Sequence, residues 1–461
     1  MRAAPGRAAL VLHTHMPYVE GFGTWPFGEE WLWEAVATSY LPLLEVLRGG
    51  APVTLSLTPV LCDQLEAPGA LERCLDFLRE VRPASHALDA QAAGDPAVAA
   101  ELQRASGQYA RAADALEDLG GDLLGALAPF AAWTSAATHA VLPLLATEAG
   151  VRLQLRAGID AHRARFAAAE WRGGLWLPEC AHASWLDPLL EEAGVHATCV
   201  ELTDVFGLGD PRQLRPLASA AGPLLVPVDR AVIDLVWHPA GYPAHAAYRD
   251  SHAMTERRHH PWANDGAVYD PDRAARTVRE HAADFVARVR ERVAGGGLCV
   301  CALDTELLGV WWHEGPLWLA GVVNEAAAQG LELVALDEAL VEADPAPAPE
   351  DLPVTTWGTP RDLSTWSGPA VAPLAWRARE GELAVVAAGP QAGPRAVREL
   401  LALQASDWAF AVARDSAAPY GHARSEGHRA ALASALAGPR DADAALRNLA
   451  PHATSRALLA P

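Results

Sequence analysis

Between residues 8 and 336, short apolar runs alternate with longer amphipathic stretches, and this alternation restricts the possible folds more than any other feature of the chain. Runs at 8–12, 53–57, 174–177, 196–200, 224–228, 298–303 and 331–336 have the length and branched, apolar character of strands, while 28–47, 185–193 and 272–293 carry the spacing of helices. Strands joined by helical crossovers must run parallel and be covered on both faces. An α/β architecture follows. With close to seven strands, a seven-stranded or incomplete barrel is as compatible with the pattern as an eight-stranded one.

The stretch 64–130 has no strand signal, only Ala, Leu, Glu and Arg at helical spacing broken by Gly and Pro, and predicts a helical insertion. Asp344-Pro345-Ala346-Pro347-Ala348-Pro349-Glu350-Asp351-Leu352-Pro353 cannot continue a helix and predicts a semi-rigid linker. Helical spacing returns at 395–413 and 425–437. The expected division is a barrel over 1–345 that includes the insertion, a linker with a Trp-bearing segment over 346–366, and an α-helical C-terminal domain over 367–461.

Composition excludes several chemistries. A chain of 461 residues that is 51% hydrophobic can bury a large core, and its net charge of −21 disfavours nucleic acid and anionic membrane surfaces as partners. A neutral, hydroxyl-rich substrate is compatible with that charge. All 36 basic residues are arginine. Without lysine there is no Schiff base, no pyridoxal-phosphate anchor, no phosphate-loop lysine and no carbamylated-lysine metal bridge. The six cysteines form no Cys-x-x-Cys pair and read as reduced, buried thiols. Residues 1–12 lack the sections of a signal peptide and no apolar run is long enough to span a bilayer, so a soluble, cytoplasmic protein is expected.

Parallel barrels carry their chemistry on the loops that follow the C-terminal ends of the strands. Glu179, Asp304, His13 and His15 all fall at such ends, with tryptophans close by. Two carboxylates are what glycoside cleavage needs, one to attack or stabilise the sugar carbon and one to protonate the leaving oxygen. Asp304 precedes Thr305 and Glu306, and a neighbouring carboxylate raises proton affinity, which suits it to the acid; the residues alone leave the division of labour open. His13-x-His15 also permits a metal-dependent hydrolase, with Glu179 bridging, His252 or His260 ligating and Asp304 as base, although the bridging lysine is missing. A glycan-binding protein without catalysis is a third class.

Sixteen tryptophans against eight phenylalanines exceed what a core alone calls for, because a buried indole N–H needs a partner. Trp25, Trp237, Trp311, Trp357 and Trp366 lie in loop-like or Gly/Pro-flanked sequence and are expected to line a sugar groove. His259 and His260, beside two arginines, read as a solvated loop.

The motifs resemble glycoside hydrolase family 57, and within it the α-1,4-glucan branching enzymes. His13-Thr14-His15-Met16-Pro17-Tyr18 with Trp25-Pro26-Phe27-Gly28-Glu29-Glu30-Trp31 resembles the opening block, and Thr134-Ser135-Ala136-Ala137-Thr138-His139 the second. Trp176-Leu177-Pro178-Glu179-Cys180 resembles the nucleophile block, and the run from Asp304 through Trp311 and Trp312 to Gly315 the acid block. Trp357 and Trp366 resemble the fifth block; Val236-Trp237 and Leu403-Gln404-Ala405-Ser406-Asp407-Trp408 are shared with the branching group.

The resemblance implies a (β/α)7 barrel with a helical insertion and an α-helical C-terminal domain, and a retaining double displacement with no metal or cofactor. Glu179 would be the nucleophile and Asp304 the acid/base, with carboxyls about 5 to 6 Å apart. His13, His15, Trp25, His139, Trp237, Trp311, Trp357, Trp366 and Asp407 would bind substrate, an α-1,4-glucan such as amylose, glycogen or a maltooligosaccharide. An α-glucan hydrolase or 4-α-glucanotransferase would use the same two carboxylates. The chain departs from the family at 215–224, where no tyrosine stands to shield the intermediate from water, at His182 and Val310, and in a rewritten 251–269 segment.

Overall fold

The computed structural model describes residues 6–23, 28–167, 170–438 and 446–459. Seven strands follow one another around a ring: β1 (Arg7–Thr14), β2 (Val53–Leu57), β3 (Thr134–Ser135), β4 (Leu175–Trp176), β5 (Ala197–Val200), β6 (Leu224–Pro227) and β7 (Leu298–Asp304). β1 pairs in parallel with β2 and β7, β3 with β4, and β5 with β6. Parallel bridges at Ser56–Trp133 and Gly174–Ala197 join these ladders, and the Asp229 amide donates to the Val300 carbonyl at 2.8 Å to close the ring between β6 and β7. The result is a (β/α)7 barrel. Its strands are buried on both faces because side chains fill the interior while helices cover the outside; all five residues of β2, Thr54 and Ser56 included, are buried.

The seventh strand is not the one the apolar pattern indicates. At 331–336 only Glu332–Leu333 is extended, pairing with the start of β1 before a helix begins at Leu336. The missing barrel strand is the two-residue β3, whose Thr and Ser carry no apolar signal. It is held from outside by the helix Glu148–Arg165, which comes so close that a Cβ on Gly158 would lie 2.4 Å from the Ser135 carbonyl oxygen.

Segment 64–130 is helical, chiefly in Arg82–Ala92 and Pro96–Asp118, the latter capped by Asp95. Beyond the linker, 395–413 is two helices, Pro394–Leu403 and Ser406–Ala413, separated by a bend at Gln404-Ala405. Val397, Leu400, Leu401 and Trp408 pack with Tyr18, Val60 and Leu153 in one buried cluster, so the C-terminal helices share a core with the barrel mouth. Buried Glu382 fastens the join, accepting from the amides of Ala146 and Thr147 and from the Gln404 side chain.

The tyrosine-free segment 215–224 lies away from the mouth. Leu217–Ala218 folds back antiparallel on the start of β6 and pairs with Ala346–Pro347, placing this hairpin at the N-terminal end of the strand. β6 itself leads through Val228 and Asp229 directly into the helix Arg230–Trp237. The reading of 215–224 as the position of the shielding loop, and of its missing tyrosine as a mark against transfer, is corrected by this topology.

Candidate active site

At the C-terminal ends of β1 and β7, His13 and Asp304 are register partners. The chain after β7 turns at Gly309 with φ 116°, against the turn at Val36–Tyr40; a Cβ there would sit 1.9 Å from the Thr38 carbonyl oxygen. Only glycine fits, which fixes the acid-bearing loop. Behind Asp304, Glu306 accepts from the Tyr40 hydroxyl at 2.7 Å and from the His15 amide at 3.1 Å.

Across the mouth, Glu179 follows β4 on left-handed backbone, φ 61° and ψ 21°, and Cys180 and His139 share the left-handed region. Such backbone costs about 1–3 kcal/mol per residue and survives only where surrounding contacts over-determine it. Those contacts are present. The Ser406 hydroxyl donates to Glu179 Oε1 at 3.1 Å, and the Trp357 indole N–H approaches Oε2 at 3.4 Å. Trp357 is held in turn by the Glu179 carbonyl, which accepts its amide, and by edge-on packing with Trp176 at 4.9 Å.

Three histidines line the floor between the acids. His13 Nε2 meets His139 Nε2 at 2.9 Å, and His139 Nδ1 meets Ser406 Oγ at 2.8 Å, so an unbroken chain of hydrogen bonds runs from β1 to Glu179. His15 stacks on His139 at 4.0 Å and pairs with Asp407 at 2.9 Å. Burial opposes a charge on all three rings. For His13 and His139 it wins, with the neighbouring His15 adding to it, and both are held neutral. For His15 the adjacent Asp407 carboxylate outweighs burial and raises its proton affinity.

The two acids differ in their electrostatics. Burial first, then the Asp407 charge, pushes Glu179 up to about 7, partly offset by His15 and by the Trp357 and Ser406 donors. Asp304 is raised well above the usual carboxylate range by burial, by Glu306 and by Glu179 itself, and receives no hydrogen bond from the described residues to counter this. Glu306 is pushed up to about 7, also by burial. Both acids hold a proton more tightly than a free carboxyl, but only Glu179 has donors and a histidine that offset part of the effect.

Of the residues expected at the site, His13, His15, His139, Glu179, Asp304, Trp357 and Asp407 converge. Trp237 and Trp311 form a tilted pair at 5.9 Å on the rim, 40% and 51% exposed. Trp366 does not belong with them: it is 4% exposed and packed among Val141, Ala181, Val371 and Ala409, with no face open to a sugar. Trp25 lies outside the described residues. The metal reading loses its ligands, because the His252 side chain is 95% exposed, His260 Nδ1 faces the Ala253 carbonyl at 2.9 Å, and His13 is committed to His139. Among the described residues no group of three His, Cys, Asp or Glu converges on a cation position. His259 is buried rather than solvated. The reading from sequence missed Ser406 and Tyr40; a Ser-Asp pair following an apolar helical run is the one signal that could have flagged Ser406.

Fold and site together define a barrel with two partly buried carboxylates at its mouth. The glycosyl hydrolase family 57 model matches residues 132–346, and a model of the 1,4-alpha-glucan branching enzyme C-terminal region matches 388–450. A probable 1,4-alpha-glucan branching enzyme of Mycobacterium tuberculosis is 34% identical, covering 95% of this chain and 93% of that protein. A 1,4-alpha-glucan branching enzyme of Thermococcus kodakarensis is 30% identical, covering 91% and 71%. The crystal structure of a family 57 branching enzyme from Pyrococcus horikoshii matches with a TM-score of 0.85 at 28% identity, covering 92% of this chain and 88% of that one. The chain belongs to glycosyl hydrolase family 57.

Proposed function

We propose that this protein is a 1,4-α-glucan branching enzyme working by retaining double displacement, and that its substrate is an α-1,4-glucan such as amylose, glycogen or a maltooligosaccharide. The observation that carries the mechanism is the unequal setting of the two partly buried acids. Glu179 is positioned by Ser406 and Trp357, whereas Asp304 is kept protonated by burial and two neighbouring carboxylates.

In the first half, Glu179 Oε attacks the anomeric carbon as the C1–O4 bond breaks, and Asp304 gives its proton to the departing oxygen. The covalent glucosyl ester has the inverted configuration. In the second half, Asp304, now a carboxylate, takes the proton of a 6-hydroxyl; the new C1–O6 bond forms, the ester bond breaks and Glu179 leaves as a carboxylate. Water in place of the 6-hydroxyl gives hydrolysis instead. His13 and His139, neutral and hydrogen-bonded to each other, carry the chain of hydrogen bonds to Ser406 and Glu179 without placing a cation beside the developing oxocarbenium ion. His15, whose charge Asp407 supports, lies where it favours an ionised Glu179.

Among the described residues no helix is long and apolar enough to cross a membrane, and all six cysteines are free and buried. Free thiols support a cytoplasmic location. Incubation with amylose tests the proposal: new α-1,6 linkages should accumulate beyond new reducing ends, and reducing ends without branches would remove branching in favour of a hydrolase.

A further inference from the structure

Trp311, on the rim, also lines a second pocket that no part of the mechanism above uses. Its walls are Thr38, the helices Arg82–Ala92 and Pro96–Asp118, the loop 249–261 and the turn 309–313. These segments follow the C-terminal ends of β1, β2, β6 and β7, so the pocket opens on the catalytic face. It also lies on the side of Asp304, since its turn is five residues further along the same loop. Glu179 and Trp357 belong to the other side.

The chemistry of the walls selects a neutral, hydroxyl-rich ligand. Arg82 is paired with Glu34 at 3.0 Å and Arg249 with Glu101 at 2.6 Å, so each cation is already matched and no surplus positive charge is offered to a phosphate. His86 and His259 stack at 3.5 Å, and burial pushes their proton affinities down to about 4 and about 3. Neither ring adds positive charge to the wall. Trp311, half-exposed and paired with Trp237, supplies an apolar face at the entrance.

We propose that this pocket is the acceptor site, holding a second α-1,4-linked glucan chain so that one of its 6-hydroxyls passes Trp311 to reach Asp304. The inference rests on the branching reading. Its physical basis is that Asp304 serves both the leaving oxygen and the incoming one, so the acceptor must approach from the side of Asp304. The helical insertion thereby becomes part of the transfer machinery, with Ala105 and Gln108 on the wall facing the acceptor.

Two variants test this, with amylose as donor and a separate end-labelled maltooligosaccharide as acceptor. Ala105→Trp fills the pocket and is expected to raise the acceptor KM about tenfold or more, while Gln108→Ala, losing one side-chain amide, raises it about three- to tenfold. In both, the ratio of α-1,6 linkages formed to reducing ends released falls. A wild-type acceptor KM in both variants overturns the proposal, and Gln108→Ala alone decides if Ala105→Trp does not fold. If the wild-type protein releases reducing ends and makes no branches, the branching reading has failed instead. The pocket is then judged by calorimetric titration of Glu179→Gln protein with maltoheptaose. Ala105→Trp in that background should remove one of two binding events, and identical titrations overturn the site.

Discussion

Asp304 ends a seven-residue strand on ordinary extended backbone, φ −66° and ψ 133°, whereas Glu179 follows a two-residue strand on left-handed backbone. Asp304 is placed by the ladder between β1 and β7, and its carboxylate takes no hydrogen bond from the described residues. Glu179 is placed by side chains brought from the C-terminal helices and from the segment after the linker. The difference matches the roles proposed. A nucleophile must be aimed at one carbon and held there, so it is over-determined; an acid/base must hold and release a proton, so it is buried among like charges and left without donors.

The sharpest way to break the comparison is to remove each acid. Glu179→Gln should cut the rate of amylose conversion at least about 10,000-fold, and Asp304→Asn about 100- to 10,000-fold, measured as initial rates of branch and reducing-end formation. An α-maltoside with an activated phenolate leaving group should recover its first step in the Asp304 variant only, because that departure needs no proton. Recovery in the Glu179 variant would reverse the assignment.

The tryptophans offer a second contrast. Trp366→Ala empties a packed site and should cost about 3–5 kcal/mol of stability in denaturant unfolding, with KM little changed in the protein that remains folded. Trp311→Ala, on the rim, should leave stability within about 0.5 kcal/mol and raise the substrate KM.

Stability against pH separates the acids from their surroundings. Glu179 has a folded proton affinity of about 7 against an ordinary value of 4.5, so ionising it opposes folding. That penalty is absent below about pH 4.5, grows as pH rises through this window and is complete above about 7. Glu179→Gln should therefore be more stable than wild type by about 1–3 kcal/mol at pH 8, with the gap closing towards pH 4.5. A gap that does not depend on pH would show that the carboxylate is not strained by burial.

The smallest expected effect is the most specific to Glu179. Ser406→Ala removes a donor to the ionised carboxylate, so the acid limb of the pH–rate profile should move to higher pH by about one unit while the alkaline limb stays in place. A uniform loss of rate without that shift would make Ser406 a packing residue only.

Much of this was legible in the chain. The apolar runs located six of the seven barrel strands, and the two acids stood out because each closes such a run beside tryptophan. β3 was invisible because two residues, Thr134 and Ser135, carry no apolar signal and are strand only through their neighbours. The break at Gln404-Ala405 was hidden inside helical periodicity, yet that bend puts Ser406 and Asp407 against Glu179 and His15. Trp366 looked like a groove residue because it sits in loop-like sequence, but loop sequence does not reveal which way a ring points. Segment 215–224 was placed wrongly for a related reason: nothing local says which end of a strand a loop serves.

The sequence by itself determined the α/β class, the absence of lysine chemistry and the position of two carboxylates at strand ends, since these depend on residue type and on periodicities written into neighbouring residues. The tertiary structure alone decided how the acids differ. Proton affinity depends on burial and on charges up to several residues' width away, and Glu306, Asp407, Ser406 and Trp357 are gathered around the mouth from segments as far apart as the barrel strands and the C-terminal helices.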